Sequence, residues 1–304
     1  MSCYEVKLLG MPTRYSIKDL ERVSGIKAHT LRIWEQRYNI LHPERTETNI
    51  RYYSNSDLRR ILNISLLNNN GYKISNIAKL SDDKLVQEVE KFLGSYKDES
   101  HQIENLVLCL MDMDEARFET TLNNSIQHFG FENTIEKIVF PFLRHMGNMW
   151  LTGLITPAQE HYISNLVRQK IIVGIDGIPS ESKPEGKRFL FFLPSQELHE
   201  MGLLYSYYLA KKEGHKCFYL GQSVPLEDLV VISKSTNPDY MVCIITAGLQ
   251  DITLNEFLYT CHDKIEGPQF LLSGRLLVAS DEKYRLPSPR FKVFNDFADF
   301  KKLL

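Results

Sequence analysis

Two clusters of residues carry the types and spacing that chemistry needs. The first is Ser195-Gln-Glu197-Leu-His199-Glu200-Met-Gly202, an imidazole with one carboxylate two residues before it and another one residue after it. The second is Trp150, nine intervening residues, then Glu160-His161. An imidazole beside carboxylates serves as a general base, as a metal ligand, or as an ordinary surface loop residue. As a base, His199 needs a nucleophile, and the chain has no GxSxG, phosphate-loop or GxGxxG pattern. As a ligand in a protein-built zinc site it needs further His or Cys ligands, and no CxxC accompanies it. One imidazole is enough when a cofactor brings the metal's other ligands. Glu197 or Glu200 would then bond the second ring nitrogen and fix the tautomer. At the other cluster, Trp150 offers a flat apolar surface and Glu160-His161 offers hydrogen bonds beside it. Taken alone, a core Trp with a surface Glu-His pair fits that spacing as well.

The elements that must position these residues are legible. From Lys187 onward apolar runs alternate with helical ones: RFLFFLP, KCFYLG, YMVCIITAG, QFLLSG and FKVF are strands, each followed by a helix. The pattern predicts a flavodoxin-like, doubly wound parallel sheet over residues 186–304. Ligands of such sheets bind at the carboxyl ends of the strands. Glu197, His199 and Gly202 follow the first strand. The run from Gly221 through Ser223 to Pro225 is expected after the second strand, Thr246 to Leu249 after the third, and Ser273-Gly274-Arg275 after the fourth.

Residues 81–180 repeat apolar positions at three and four and predict a four-helix bundle. Gly130 stops one helix. Thr156, Pro157 and Gln159 form a capping-box start for the helix that carries Glu160 and His161. By itself the bundle fits a spacer or a dimerisation unit.

Residues 1–80 hold 13 Lys and Arg against 7 Asp and Glu, a net of +6, whereas the remainder is net -8. A basic module on an acidic body suggests a nucleic-acid partner. Here Ser16 caps a short helix, Ser24-Gly25 makes the turn, and a second helix from about Lys27 carries Thr30, Arg32 and Arg37. HPERTETNIRYYS then forms a wing with Arg45, Arg51 and Tyr52. The pattern is a winged helix-turn-helix whose second helix enters the major groove. The bland alternative for Arg32 is an ion pair with Glu35. Scattered cysteines fit a reducing cytoplasm, and no run reaches membrane-spanning length.

The head resembles the MerR family of transcription regulators through Tyr15-Ser16-Ile17, Gly25, the run HTLRIWEQRY, Pro43, Arg45-Thr46, Arg51-Tyr52-Tyr53-Ser54 and Asp57-Leu58. The resemblance implies a dimer on an inverted repeat of double-stranded DNA, with Thr30, Arg32, Arg37, Arg45, Arg51 and Tyr52 as contacts. The whole chain resembles the cobalamin-binding regulators of the CarH/LitR type. ExHxxG matches Glu197, His199 and Gly202, and W-x9-EH matches Trp150, Glu160 and His161. This implies adenosylcobalamin held between bundle and sheet, with His199 below the cobalt and Trp150, Glu160 and His161 on the adenosyl side. Gly221, Ser223, Thr246, Ser273 and Gly274 would complete the cofactor site.

The type also implies a cytoplasmic, non-enzymatic repressor that forms a homo-oligomer, dimer or tetramer, and comes apart when light breaks the cobalt–carbon bond. This sequence departs from its relatives at GQSVP, Thr246 and Ser273-Gly274-Arg275. It also has Leu151 where the best-known relatives carry a histidine that replaces the lost adenosyl group, and leucine cannot ligate cobalt. The alternative is a MerR-type regulator that works without cofactor, its degenerate cobalamin domain serving oligomerisation or protein-partner binding. A cobalamin enzyme or carrier would need a substrate-binding segment, and no part of the chain is left over for one.

Overall fold

The computed structural model describes residues 14–304 except 70, 96–98, 180, 248, 250, 251 and 280–283. Its contacts divide the chain into two compact units, Met1–Val167 and Arg168–Leu304.

The first unit begins with α1 (Ile17–Ser24) and α2 (Ala28–Tyr38). Ser16 and Asp19 close a reciprocal capping box at the start of α1, and Gly25 ends it in the left-handed region at φ 71°. The wing is the antiparallel pair β1 (Glu44–Arg45) and β2 (Arg51–Tyr52). Tyr53 and Tyr15 exchange both backbone hydrogen bonds at 2.8 Å, tying the wing to the residues before α1. Helix α3 (Asn55–Asn69) is buried on nearly every side from Leu58 to Leu67. It packs against α1, α4 (Ile74–Ile77), α5 (Asp82–Ser95) and α6 (Glu99–Asp112), which leaves it only a narrow solvent face at Ser56, Arg59 and Asn69.

The helical region continues with α7 (Glu115–Phe129), α8 (Phe131–Thr134), α9 (Phe140–Leu151) and α10 (Pro157–Asp176). α8 and α9 belong to one uninterrupted helical run, so α6, α7, α8–α9 and α10 supply the four expected helices, with α5 ahead of them. Between α8 and α9, residues Ile135–Val139 form a π turn in which Phe140 N–H donates to Ile135 C=O. Pro141 follows at once. It has no N–H to give to the residue four before it, which accounts for the widened turn at this point. At the start of α10 the expected capping box is present: Thr156 N–H donates to Gln159 Oε1 at 3.0 Å, and Gln159 N–H donates to Thr156 Oγ1 at 3.3 Å.

The second unit holds β3 (Arg188–Pro194), α11 (Met201–Lys212), β4 (Lys216–Val224), α12 (Leu226–Thr236), β5 (Tyr240–Ile244), α13 (Leu254–Lys264), β6 (Gln269–Ser273), α14 (Arg275–Val278), β7 (Phe291–Val293) and α15 (Phe297–Lys301). The strands are parallel in the order β4-β3-β5-β6-β7. This is the flavodoxin-like order, and its switch point lies beside β3, where the chain crosses from one edge of the sheet to the other. Phe189 to Leu193 are fully buried, as expected of a strand covered on both faces.

One expectation needs correction. Gly221 and Ser223 do not follow the second strand but lie within β4, which runs on to Val224. The strand continues because it bulges: Phe191 pairs with Tyr219, Phe192 with Gly221 and Pro194 with Val224, so β4 holds extra residues opposite β3. Gly221 at φ 80° and Ser223 at φ 52° absorb the bend.

Burial pushes the Cys109, Cys217 and Cys261 thiols up to about 12 and raises Cys243 as well. Thiols held protonated are poor nucleophiles. The native protein at pH 7.5 should therefore leave these four cysteines unmodified by a maleimide over minutes. All four should react after unfolding in urea, as read by mass spectrometry of the peptides.

Candidate functional site: an anchored imidazole and a basic head

His199 sits on the loop that leaves β3 at the switch point. Its side chain is 61 % exposed, while the Glu197 side chain is 2 % exposed. Glu197 Oε1 accepts from His199 Nδ1 at 2.6 Å and from His199 N–H at 2.9 Å. Its Oε2 accepts from Thr246 N–H at 2.8 Å and Ala247 N–H at 2.7 Å. Burial alone would raise this carboxyl. The bonds from the His199 ring and N–H, and from the Ala247 and Thr246 N–H groups, outweigh it and hold the pKa below the ordinary range. An ionised carboxylate only accepts, so Nδ1 carries the proton, and in the neutral ring Nε2 is then the lone-pair nitrogen.

Glu200 does a different job from the one left open for it. It is buried, its Oε1 lies 2.5 Å from Arg168 Nε, and its Oε2 accepts from the Tyr219 hydroxyl at 2.8 Å. The histidine's orienting partner is thus Glu197 and not Glu200.

The bulged end of β4 fastens the rest of the loop. Gln196 N–H donates to Ser223 Oγ at 3.0 Å, Ser223 N–H to Glu197 C=O at 3.3 Å, and Gln222 Nε2 to Leu198 C=O at 2.7 Å. Gln196 at φ 68° faces Ser223 at φ 52°, so two non-glycine residues adopt left-handed backbone at one contact. Every neighbour of His199 from Gln196 to Glu200 is bonded in place, and the imidazole projects from that frame.

The other sheet-edge residues act largely through backbone. Thr246 contributes its N–H to Glu197. The Ser273 hydroxyl donates to Phe294 C=O at 2.8 Å, within the fold. A Cβ on Gly274, at φ 106°, would lie 2.3 Å from Ile245 C=O oxygen, and one on Gly202 would lie 3.2 Å from Ile244 Cδ1. Gly274 permits a close backbone crossing, and Gly202 lets the first turn of α11 lie against β5.

In the helical region Trp150 is not a core residue. Met146 and Met149 fill the core, while Trp150 is 48 % exposed at the end of α9 beside exposed Leu151. Glu160 and His161 lie in the first turns of α10. Glu160 Oε2 is 2.8 Å from His161 Nδ1, and its Oε1 accepts from the Ser164 hydroxyl at 2.7 Å.

In the head, Arg32, Arg37 and Arg45 are exposed, as is Ile33 on α2. Glu35 does not pair with Arg32. Its Oε1 accepts from Arg51 Nε at 3.1 Å and its Oε2 from the Tyr53 hydroxyl at 2.9 Å, so it clamps the wing to α2. Arg45 donates to Asn49 Oδ1 at 2.6 Å across the wing turn, and the Tyr52 hydroxyl bonds Glu44. Thr30 Oγ1 is 3.3 Å from His29 Nε2. Sequence reading missed Arg14, whose guanidinium lies 4.4 Å over the Tyr52 ring and adds a cation to the wing. It also missed Arg168 and Tyr219, which no motif contains.

Comparison with known proteins bears on the head and on the helical region. Residues 15–84 match the MerR HTH family regulatory protein profile, and residues 102–173 match a B12 binding domain profile. The chain carries a MerR-type helix-turn-helix and a B12-binding domain. The HTH-type transcriptional repressor CarH of Myxococcus xanthus is 28 % identical over 234 residues, covering 75 % of this chain and 77 % of that protein. The repressor CarA of the same organism is 27 % identical over 228 residues, covering 73 % of each. Among solved structures, the monomethylamine corrinoid protein of Methanosarcina barkeri superposes with a TM-score of 0.53 at 12 % identity, over 68 % of this chain and 98 % of that one. That last likeness is one of fold. Among the described residues no helix is long and apolar enough to cross a membrane.

The two glycines separate in a stability measurement. Gly274→Ala should cost about 1–3 kcal/mol in urea unfolding, since both its φ and the Ile245 carbonyl oppose a side chain. Gly202→Ala, in a helix and against a movable Ile244 methyl, should stay within about 1 kcal/mol of the parent.

Proposed function

We propose that this protein is a cytoplasmic, non-enzymatic transcriptional repressor that senses adenosylcobalamin and binds an inverted repeat of double-stranded DNA as a homo-oligomer, dimer or tetramer. The observation that carries the reading is the exposed His199 imidazole, its Nδ1–H held by a buried, ionised Glu197 at the switch point of the sheet. That arrangement prepares Nε2 to meet a metal whose remaining ligands arrive with it. When bound, adenosylcobalamin supplies a cobalt that accepts such a nitrogen and a light-sensitive cobalt–carbon bond. His199 would hold the cobalt through Nε2, and Glu197 would fix its tautomer. Thr246 would hold Glu197, and Gly202, Gly221, Ser223, Ser273 and Gly274 would shape the sheet edge. Trp150, Glu160 and His161 would cover the adenosyl side.

We assign residues 1–80 to DNA binding, 81–180 to the helical cap and 186–304 to the cobalamin-binding sheet domain. Thr30, Arg32, Arg37, Arg45, Arg51 and Tyr52 are the proposed DNA contacts. Arg51 would reach a phosphate only by sharing or leaving Glu35, so its contribution should be smaller than that of Arg32 or Arg45. Cofactor acts on DNA binding only through its different affinity for two assembly states. A second reading keeps the head and drops the cofactor, the sheet domain serving oligomerisation or protein-partner binding. Leu198 and Leu151, both large and exposed beside the two clusters, favour it.

The deciding measurement is an absorption spectrum after dark incubation with adenosylcobalamin and gel filtration, repeated after green light. A retained cobalamin spectrum that changes on illumination, together with a change in elution volume, is the expected result. Retention without a change in assembly removes the light-reading part. No retention, with DNA binding intact, establishes the second reading. His199→Ala should weaken retention roughly 10-fold or more. Arg32→Ala and Arg45→Ala should weaken binding to a selected duplex. Loss of a phosphate contact reduces the slope of log K against log salt by about 1, and loss of a base contact relaxes sequence preference instead.

A further inference from the structure

Glu200 occupies the N-cap position of α11, yet its side chain makes no capping bond to that helix. A negative charge in this place is favoured by the exposed N–H groups of the first turn. Here it turns away into the protein, where it is buried and takes Arg168 Nε at 2.5 Å and the Tyr219 hydroxyl at 2.8 Å. A buried charge persists only when paired, so this orientation is held by its two partners. Those partners come from different elements. Arg168 is on α10, the helix that opens with Glu160 and His161, and Tyr219 is on β4, ahead of the bulge. Both bonds land on the residue directly after His199.

We propose that Arg168 and Tyr219 are positioning residues that act through Glu200 to hold the backbone of His199 in register for axial ligation of the cobalt. Glu197 orients the imidazole ring from one side of the loop by tying it to the end of β5. Glu200 fixes the other side by tying the start of α11 to α10 and β4. The ring is thus set by one carboxylate and its point of attachment by the other. Releasing the second lets the attachment point drift while the ring's own hydrogen bond survives. The proposal rests on the reading of His199 as the cobalt ligand.

The test uses the full chain, uniformly labelled with nitrogen-15, loaded with cobalamin and reduced to the cobalt(II) state. Electron paramagnetic resonance then distinguishes axial donors: a nitrogen-15 imidazole splits each line into two, and the cofactor's own nitrogen-14 base splits it into three. The parent protein should give doublets. Arg168→Ala should give a mixture, with loss of doublets and cofactor release faster by roughly 10-fold. Tyr219→Phe, which removes a single oxygen, should move both readouts the same way by less. Arg168→Lys, which keeps the charge, should recover part of each. Doublets and release rates equal to the parent's in both Arg168→Ala and Tyr219→Phe would overturn the proposal. If Arg168→Ala does not fold, judged by circular dichroism, Tyr219→Phe decides. Absence of doublets in the parent protein itself removes the axial-ligand reading and the proposal with it.

Discussion

Two buried negative charges, one on each side of an exposed histidine, are the constraint on which the sheet unit is built. Each must be compensated locally, because an unpaired carboxylate out of water is among the costliest features a fold can carry. Glu197 is compensated by two backbone N–H groups at the end of β5 and by His199. Glu200 is compensated by a guanidinium from α10 and a hydroxyl from β4. Compensation therefore recruits three separate elements to one loop. The bulge in β4, the left-handed Gln196 and Ser223, and the close crossing at Gly274 are the local backbone adjustments around it.

The head follows the same logic on a smaller scale. Glu35 accepts from Arg51 and Tyr53, and Asp57 accepts from the N–H groups of His42 and Ser54 at 3.0 and 2.9 Å. Acidic residues in this basic module act as internal ties, which leaves Arg32, Arg37 and Arg45 exposed for phosphate and base edges. The net charge of the module thus understates how its positive groups are displayed.

Much of this was legible in the residues. Continuous apolar runs placed the strands and implied a parallel sheet, spacing at three and four placed the bundle helices, and Ser16, Thr156 and Gly25 marked helix ends. What escaped was long-range or off-pattern. Glu197 and Glu200 looked equivalent because the choice between them depends on Thr246, 49 residues away, and on Arg168, 32 residues away. Gly221 and Ser223 read as a loop because glycine, serine and proline cluster there, but the sheet accommodates them as a bulge. Trp150 could not be placed inside or outside by period alone, since Met149 next to it is equally apolar and is the one buried. The Arg51–Glu35 pair escaped because its two members lie on different elements.

The strand order has a further consequence, for how the chain is made. β3 is the first strand of its sheet to emerge from the ribosome, and it is an interior strand, paired with both β4 and β5. Its Phe189-Leu-Phe-Phe-Leu193 core, uncharged and wholly buried at the end, has no partner until residue 216 has been synthesised and no second partner until residue 240. For the interval between, the nascent chain exposes a short apolar segment of high strand propensity with both edges open. Such segments associate with one another and are the usual substrates of chaperones. Yield of folded protein should therefore depend on translation speed and temperature more than the stability of the finished sheet would suggest.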